Sequence, residues 1–332
     1  MRRLLPNILP VTVLFLLTSM VTFQGAEASN TGPDINFFSE SSIGEMDSLD
    51  TDPLIICKTE CFKKSELFAE KKQPDAGNSR HSESRKNGPK LQLNTDYFLG
   101  FLTDGLHVIS SPLRWNKTDW FKVGLVLGTT GAFFALDNDI QEFVQDNRTG
   151  ATNDLSDIFE RFGNGATVVP ALAAYYLFGH FLKYDRAERV ALLSLESFAI
   201  TGALAAALKF GVGRERPNTG ENSTTFEGPG QGGTSFPSGH SITAFAVATV
   251  FATEYDDYPL VAPIAYGIAT LTALERLNDN KHWASDVFFG GALGYFISKT
   301  IIKLNSNKKG RHYTIYPRIS KTETGLVFAM QY

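Results

Sequence analysis

Six apolar segments, at residues 121–136, 167–182, 190–208, 241–253, 260–274 and 287–304, alternate with polar joints. Each is too long for an ordinary strand and rich in Ala, Leu, Gly and Phe, so the pattern predicts six helices packed as an all-α bundle. The joints at 137–163 and 183–189 read as loops, with Asp137 and Asp139 at a solvated helix end. After Lys308-Lys309-Gly310-Arg311 the texture changes. Strand-like runs at 313–319 and 326–332 flank residues 320–325, which suggests a C-terminal β-hairpin. No repeat of fixed period is present.

The N-terminal third is different in kind. Met1-Arg2-Arg3, an apolar run at 4–23 and Ala26-Glu27-Ala28 read as a secretory signal peptide cleaved after Ala28, with an uncleaved anchor helix as the alternative. Residues 29–95 form a polar linker or disordered arm, almost free of large apolar groups at 70–90. The helical domain then occupies 96–304, and a basic joint and hairpin tail 305–332. Cys57 and Cys61 are the only cysteines, and their spacing in an exported chain permits a local disulfide or two free thiols. Two such ligands without a partner fall short of a zinc set, so no metal site is expected. With 332 residues, 43% apolar and 20% charged, and a net charge of −4, the chain suits one sizeable domain with appendages, and nucleic acid is not an expected partner.

Chemistry concentrates at three joints of the bundle: K-F-G-V-G-R-E-R-P at 209–217, F-P-S-G-H at 236–240, and R-L-N-D-N-K-H-W-A-S-D at 276–286. Lys209, Arg216 and Arg276 supply three cations. Ser238 and Gly239 supply backbone donors at a helix N-terminus, where anions are favoured. His240 and His282 supply imidazoles that titrate near neutrality. Asp286 follows His282 by four residues, one helical turn on the same face.

Together these motifs resemble the signature of the type 2 phosphatidic acid phosphatase and vanadium haloperoxidase superfamily, over a core of about residues 119–303. The resemblance implies a six-helix bundle and a metal-independent, cofactor-free phosphatase. It casts His282 as the nucleophile that forms a phosphohistidine, Asp286 as the group that orients it, and His240 as the general acid and base. Lys209, Arg216, Ser238, Gly239 and Arg276 would then hold the phosphate. One position departs from the pattern: many members carry Ser before the third-motif Arg, and this chain has Glu275. Arg214 and Glu215 read as loop charges, and His81, His107, His180 and His312 fit no motif. Residues 218–234 form a Gly-rich loop, either a mobile lid or a spacer.

The apolar bundle favours a phosphorylated lipid as substrate: phosphatidic acid, phosphatidylglycerol phosphate, undecaprenyl pyrophosphate or a lipid A phosphate. A soluble acid phosphatase, a vanadium-dependent haloperoxidase and a non-catalytic phospholipid-binding envelope protein are the alternatives. The segments border on the length of about 20 residues that a bilayer requires. Glu196 and Lys299, inside them, argue against burial in lipid. Three crossings after a cleaved leader would put the first motif in the cytoplasm, whereas an exported phosphatase works outside. Either the bundle sits on the membrane, or the leader stays as an anchor and residues 97–112 add a crossing. The basic residues at 183–189 and 303–311 fit cytoplasmic loops. The expected location is the bacterial envelope, with the active site periplasmic and the protein integral or peripheral.

Overall fold

A computed structural model describes residues 90–306 and, as backbone, two strands further on. The signal peptide, nearly all of the arm and both cysteines lie outside the described residues. Eight α-helices make up the described core: α1 (Thr95–Ile109), α2 (Lys117–Asp146), α3 (Gly150–Phe159), α4 (Gly165–Phe181), α5 (Asp185–Val212), α6 (Gly239–Glu254), α7 (Val261–Asn278) and α8 (Ala284–Ser306). The six apolar segments fall on α2 and α4–α8, and α1 and α3 are additional. Strands β1 (His312–Ile319) and β2 (Thr324–Gln331) pair antiparallel, with His312 opposite Gln331 and Ile319 opposite Thr324.

Both expected loops are largely helical. Asn116 starts α2 with a reciprocal cap to Asp119, and the helix runs on to Asp146 before a Thr149 cap starts α3. Of the thirty residues of α2 only Asp137 is buried, so its C-terminal half is polar on most faces and carries no core periodicity to betray a helix. Residues 185–189 of the second joint are likewise the start of α5. Arg186 and Arg189 are buried there, at 2.9 Å from Asp257 and Glu254 respectively. Basic residues consumed in buried ion pairs give no support to a cytoplasmic loop.

α6 lies at the centre, packed against α5, α7 and α8. Tyr175 of α4 and Tyr255, just past α6, are buried with their hydroxyls 2.5 Å apart, among Leu172, Val190, Leu193, Val250 and Ile301. Glu196 points inward, where Asn305 of α8 donates to it and to Asp104 of α1. Lys299 donates to Thr253. Neither charge inside the apolar segments therefore needs to face lipid.

The approach of α8 to α6 sets the site. A Cβ on Gly290 would lie 2.7 Å from the Ser238 carbonyl oxygen, and one on Gly294 would collide with the Ile242 carbonyl. Only glycine lets α8 come so close to the first turns of α6. Gly294→Ala should therefore cost about 1–3 kcal/mol, because backbone atoms have no rotamer through which to yield. Thermal unfolding in detergent checks this, and an unchanged midpoint would contradict it.

Much of the outer surface is apolar. Phe98, Leu102, Leu106 and Ile109 on α1, Phe121, Leu125 and Phe143 on α2, and Phe181, Leu271 and Phe296 elsewhere are exposed. Among the described helices, α5 and α8 are long and apolar enough to cross a membrane, by length and composition. α1, with 15 residues, falls short of the about 20 required.

Candidate active site

The three motifs meet at one end of the bundle. Lys209 stands in the last turn of α5, which Gly213 ends in the left-handed conformation (φ 58°). The chain then presents Arg214 and Arg216 before Pro217. Ser238 caps α6 through its hydroxyl, which accepts from the Ser241 N–H, and His240 follows in the first turn. Ser238 donates its own N–H to the carbonyl of Asp286 at 3.1 Å, tying the second motif to the third. Arg276 lies in the last turn of α7, and a tight turn with Asn280 at positive φ brings His282 back to donate its N–H to the Arg276 carbonyl.

The charged groups of the three motifs act on one another. His240 feels Arg276, His282, Lys209 and Arg216. His282 is 5% exposed, and its burial, reinforced by the Lys209 and Arg216 cations, pushes its pKa down to about 4 against the opposing pull of Asp286. At neutral pH the ring is therefore uncharged and its lone pair is available. Burial and the same cations hold His240 far below the usual imidazole range as well. Gly163, at the end of the turn after α3, approaches the His240 ring so closely that a Cβ there would lie 2.7 Å from Cδ2.

Asp286 is fully engaged. Its Oδ1 accepts from Arg214 at 2.6 Å, and its Oδ2 accepts from Ser235 at 2.5 Å and from the Trp283 N–H at 3.0 Å. His282 Nδ1 is 3.7 Å from that Oδ2, beyond hydrogen-bond length. A model of the PAP2 superfamily matches residues 190–309, the stretch that holds all three motifs.

Over that stretch the chain is similar to the PAP2 superfamily. A lipid A 1-phosphatase of Porphyromonas gingivalis is 29% identical over 207 residues, which is 59% of this chain and 42% of that protein. The match thus spans about two fifths of that relative's length. Two solved structures resemble the fold loosely. A transmembrane PAP2-type phosphatidylglycerolphosphate phosphatase from Bacillus subtilis has a TM-score of 0.43 at 21% identity, covering 64% of this chain and 96% of that one. Aquifex aeolicus LpxE has a TM-score of 0.39 at 20% identity, covering 51% and 95%.

Two charges read as solvated belong instead to the buried heart of this site. Arg214 is 1% exposed, and all five of its N–H donors are spent: Nε and one on Ser223 O, two on Ser285 Oγ and Asp286, and one on Asp137. Asp137, also 1% exposed, takes in addition the N–H and hydroxyl of Ser285 at 2.9 and 2.6 Å. One guanidinium thus bridges α2 to the Asp286 carboxylate. Asp137, at the polar end of the first apolar run, lies outside the family match and gave no signal of this role. Residues 218–234 are laced to the first motif: Glu215 N–H bonds Thr225 O, Glu227 N–H bonds Gly213 O, and Lys209 donates to Thr234 O.

Glu275 is buried beside Arg276, its Oε1 2.6 Å from Nε, while Glu160 and Asp279 stand 3.4 and 3.6 Å from NH2. Glu275 Oε1 lies against the Nε edge without hydrogen-bond geometry, and burial pushes the Glu275 pKa up to about 8 against the pull of Arg276. Among the described residues, no cluster of three or more His, Cys, Asp or Glu has the arrangement of a metal site.

Proposed function

We propose that this protein is a phosphatase that removes phosphate from a phosphomonoester or pyrophosphate of a lipid through a phosphohistidine on His282. The observation that carries the reading is the gathering of Lys209, Arg216 and Arg276 around two imidazoles at one end of an apolar bundle. Three fixed cations offset the charge that spreads over the phosphoryl oxygens in the transition state. Arg216 and Arg276 can do so through guanidinium forks.

In the first step His282 Nε2, the nitrogen turned from Asp286, attacks phosphorus as the bond to the leaving oxygen breaks and His240 gives that oxygen a proton. The P–N bond formed leaves a phosphohistidine whose positive ring Asp286 stabilises. A water then attacks phosphorus, His240 takes its proton, and the P–N bond breaks to release inorganic phosphate and restore both rings. Before substrate arrives His240 is uncharged. A phosphate dianion placed among the cations reverses the local potential and favours its protonated form, so substrate itself loads the acid. The gap of 3.7 Å between His282 and Asp286 is expected to shorten in the same event.

The exposed apolar helices support a seat in or on a membrane, and the leader-like N-terminus supports export, with the site facing the periplasm. The similarity to a lipid A 1-phosphatase supports a lipid A phosphate among the four candidate substrates, beside phosphatidic acid, phosphatidylglycerol phosphate and undecaprenyl pyrophosphate. The test is phosphate release by detergent-purified protein, in EDTA, from those four lipids and from p-nitrophenyl phosphate. Intact and lysed cells are compared with the last of these. Release from at least one lipid, and equal rates before and after lysis, is the expected result. Folded protein that hydrolyses none of the five would overturn the enzyme, and activity confined to lysed cells would overturn the periplasmic site.

A further inference from the structure

We infer that Glu275 is a positioning residue that couples a proton to phosphate binding: neutral, it leaves the charge of Arg276 to the phosphate, and ionised, it draws that charge back into the protein. This inference rests on the phosphatase reading and deepens it.

The surroundings of Glu275 oppose its charge. It is 3% exposed, and among the described residues neither of its carboxylate oxygens has a hydrogen-bond partner. A buried carboxylate that accepts no hydrogen bond has lost its hydration without a substitute. The cation beside it, Arg276, is already shared, since Glu160 stands 3.4 Å and Asp279 3.6 Å from its Nη2. Were all three carboxylates charged, the guanidinium would be enclosed in net negative charge and could offer little to an anion. Burial accordingly pushes Glu275 up to about 8 against the pull of Arg276, and Asp279 and Glu160 add to the rise.

Helix register fixes this arrangement. Glu275, Arg276 and Asp279 follow Thr272 by 3, 4 and 7 residues on one face of α7. Thr272 holds that face to the end of α3 by donating to the Phe159 carbonyl at 3.1 Å, and Glu160 is the next residue. Around them α2 and α3 place neutral amides: Gln145 donates to the Leu277 and Asn278 carbonyls, and Asn153, which also accepts from Arg148, accepts from the Asn278 side chain. α6 adds His240, uncharged before substrate binds, and α8 adds Asp286, whose charge Arg214 offsets.

A phosphate dianion beside Arg276 disfavours a further negative charge at Glu275. The neutral form therefore binds phosphate more tightly, and binding raises the Glu275 pKa in turn. As pH rises through about 8 the free enzyme loses the proton and its hold on phosphate weakens, whereas the complex keeps the proton to higher pH. Serine at this position would carry no such proton.

The experiment compares wild type with Glu275→Gln, whose amide copies the neutral acid at every pH, between pH 7 and 9.5 on p-nitrophenyl phosphate and on phosphatidic acid in mixed micelles. The ratio of kcat/KM, variant over wild type, should rise at least fivefold across that range, because kcat/KM reports the free enzyme. The ratio of kcat should move less than twofold, since the bound enzyme keeps its proton. Titration of Lys209 or of the substrate is common to both proteins and cancels in these ratios. Glu275→Ser should show the same rise in kcat/KM. A rise of less than twofold in both variants would overturn the inference. If folded wild type hydrolyses neither substrate, the phosphatase reading falls, and calorimetric binding of inorganic phosphate carries the test instead. Wild type should then lose at least fivefold more affinity than Glu275→Gln between pH 7 and 9.5, and equal losses would overturn the coupling.

Discussion

His282→Ala should lower kcat by at least about 10³-fold on every substrate that wild type hydrolyses, because removing a covalent nucleophile leaves only electrostatic holding of the phosphate. Lys209, Arg216 and Arg276 would still gather the anion, so KM should change far less than kcat. Rapid acid-free quench with labelled substrate should trap phosphate on wild type and none on the variant. With its pKa at about 4 the nucleophile is uncharged throughout the neutral range. The acid limb that belongs to His282 in kcat/KM should accordingly sit well below pH 6, since kcat/KM reports ionisations of the free enzyme. A variant that keeps a tenth of the wild-type rate would remove His282 from the chemistry.

Arg214→Met should cost about 3–5 kcal/mol of stability, the range expected when one partner of a buried ion pair is removed and the other charge is stranded. Here two carboxylates are stranded, Asp137 and Asp286, each less than 2% exposed. Such a loss is a large part of the stability of an ordinary domain. Methionine approximates the volume of the side chain and isolates the charge. Arg214→Lys would keep the charge but could not direct five donors to Ser223, Ser285, Asp137 and Asp286 at once. Denaturant or thermal unfolding measures the loss. Adding Asp137→Asn to Arg214→Met should recover part of it, because one stranded charge is then neutral. A loss below 1 kcal/mol for Arg214→Met, or no recovery in the double variant, would show that the bridge is not what holds α2 to the site.

The contrast between these two residues explains what could be read in advance. His282 and Asp286 are four residues apart in one turn and helix, and Lys209 and Arg216 flank one helix end, so their relations are local and spacing exposes them. Arg214 bonds Asp137 across 77 residues and Asp286 across 72, and Ser285 bonds Asp137 across 148. No periodicity encodes a partnership of that span. A lone charged residue in a loop reads as solvated until another element is seen to cover it. Glu275 was visible as a departure, but its burial against the Nε edge of Arg276 depends on side-chain direction.

Helix content followed the same division. Apolar runs announced α4–α8, because periodic burial of large side chains is what a hydrophobic pattern records. The polar half of α2 and the short α3 escaped notice because their stability comes from caps at Asn116 and Thr149 and from contacts at one end, such as Gln145 to the Leu277 carbonyl. By itself the sequence determined the bundle and the inventory of the phosphate pocket, since both rest on short-range spacing. Only the tertiary structure decided that Asp137 and Arg214 support Asp286 and that Gly290 and Gly294 let α8 press against α6. Those are matters of which distant faces meet, and burial after folding, not residue type, sets what a charge does there.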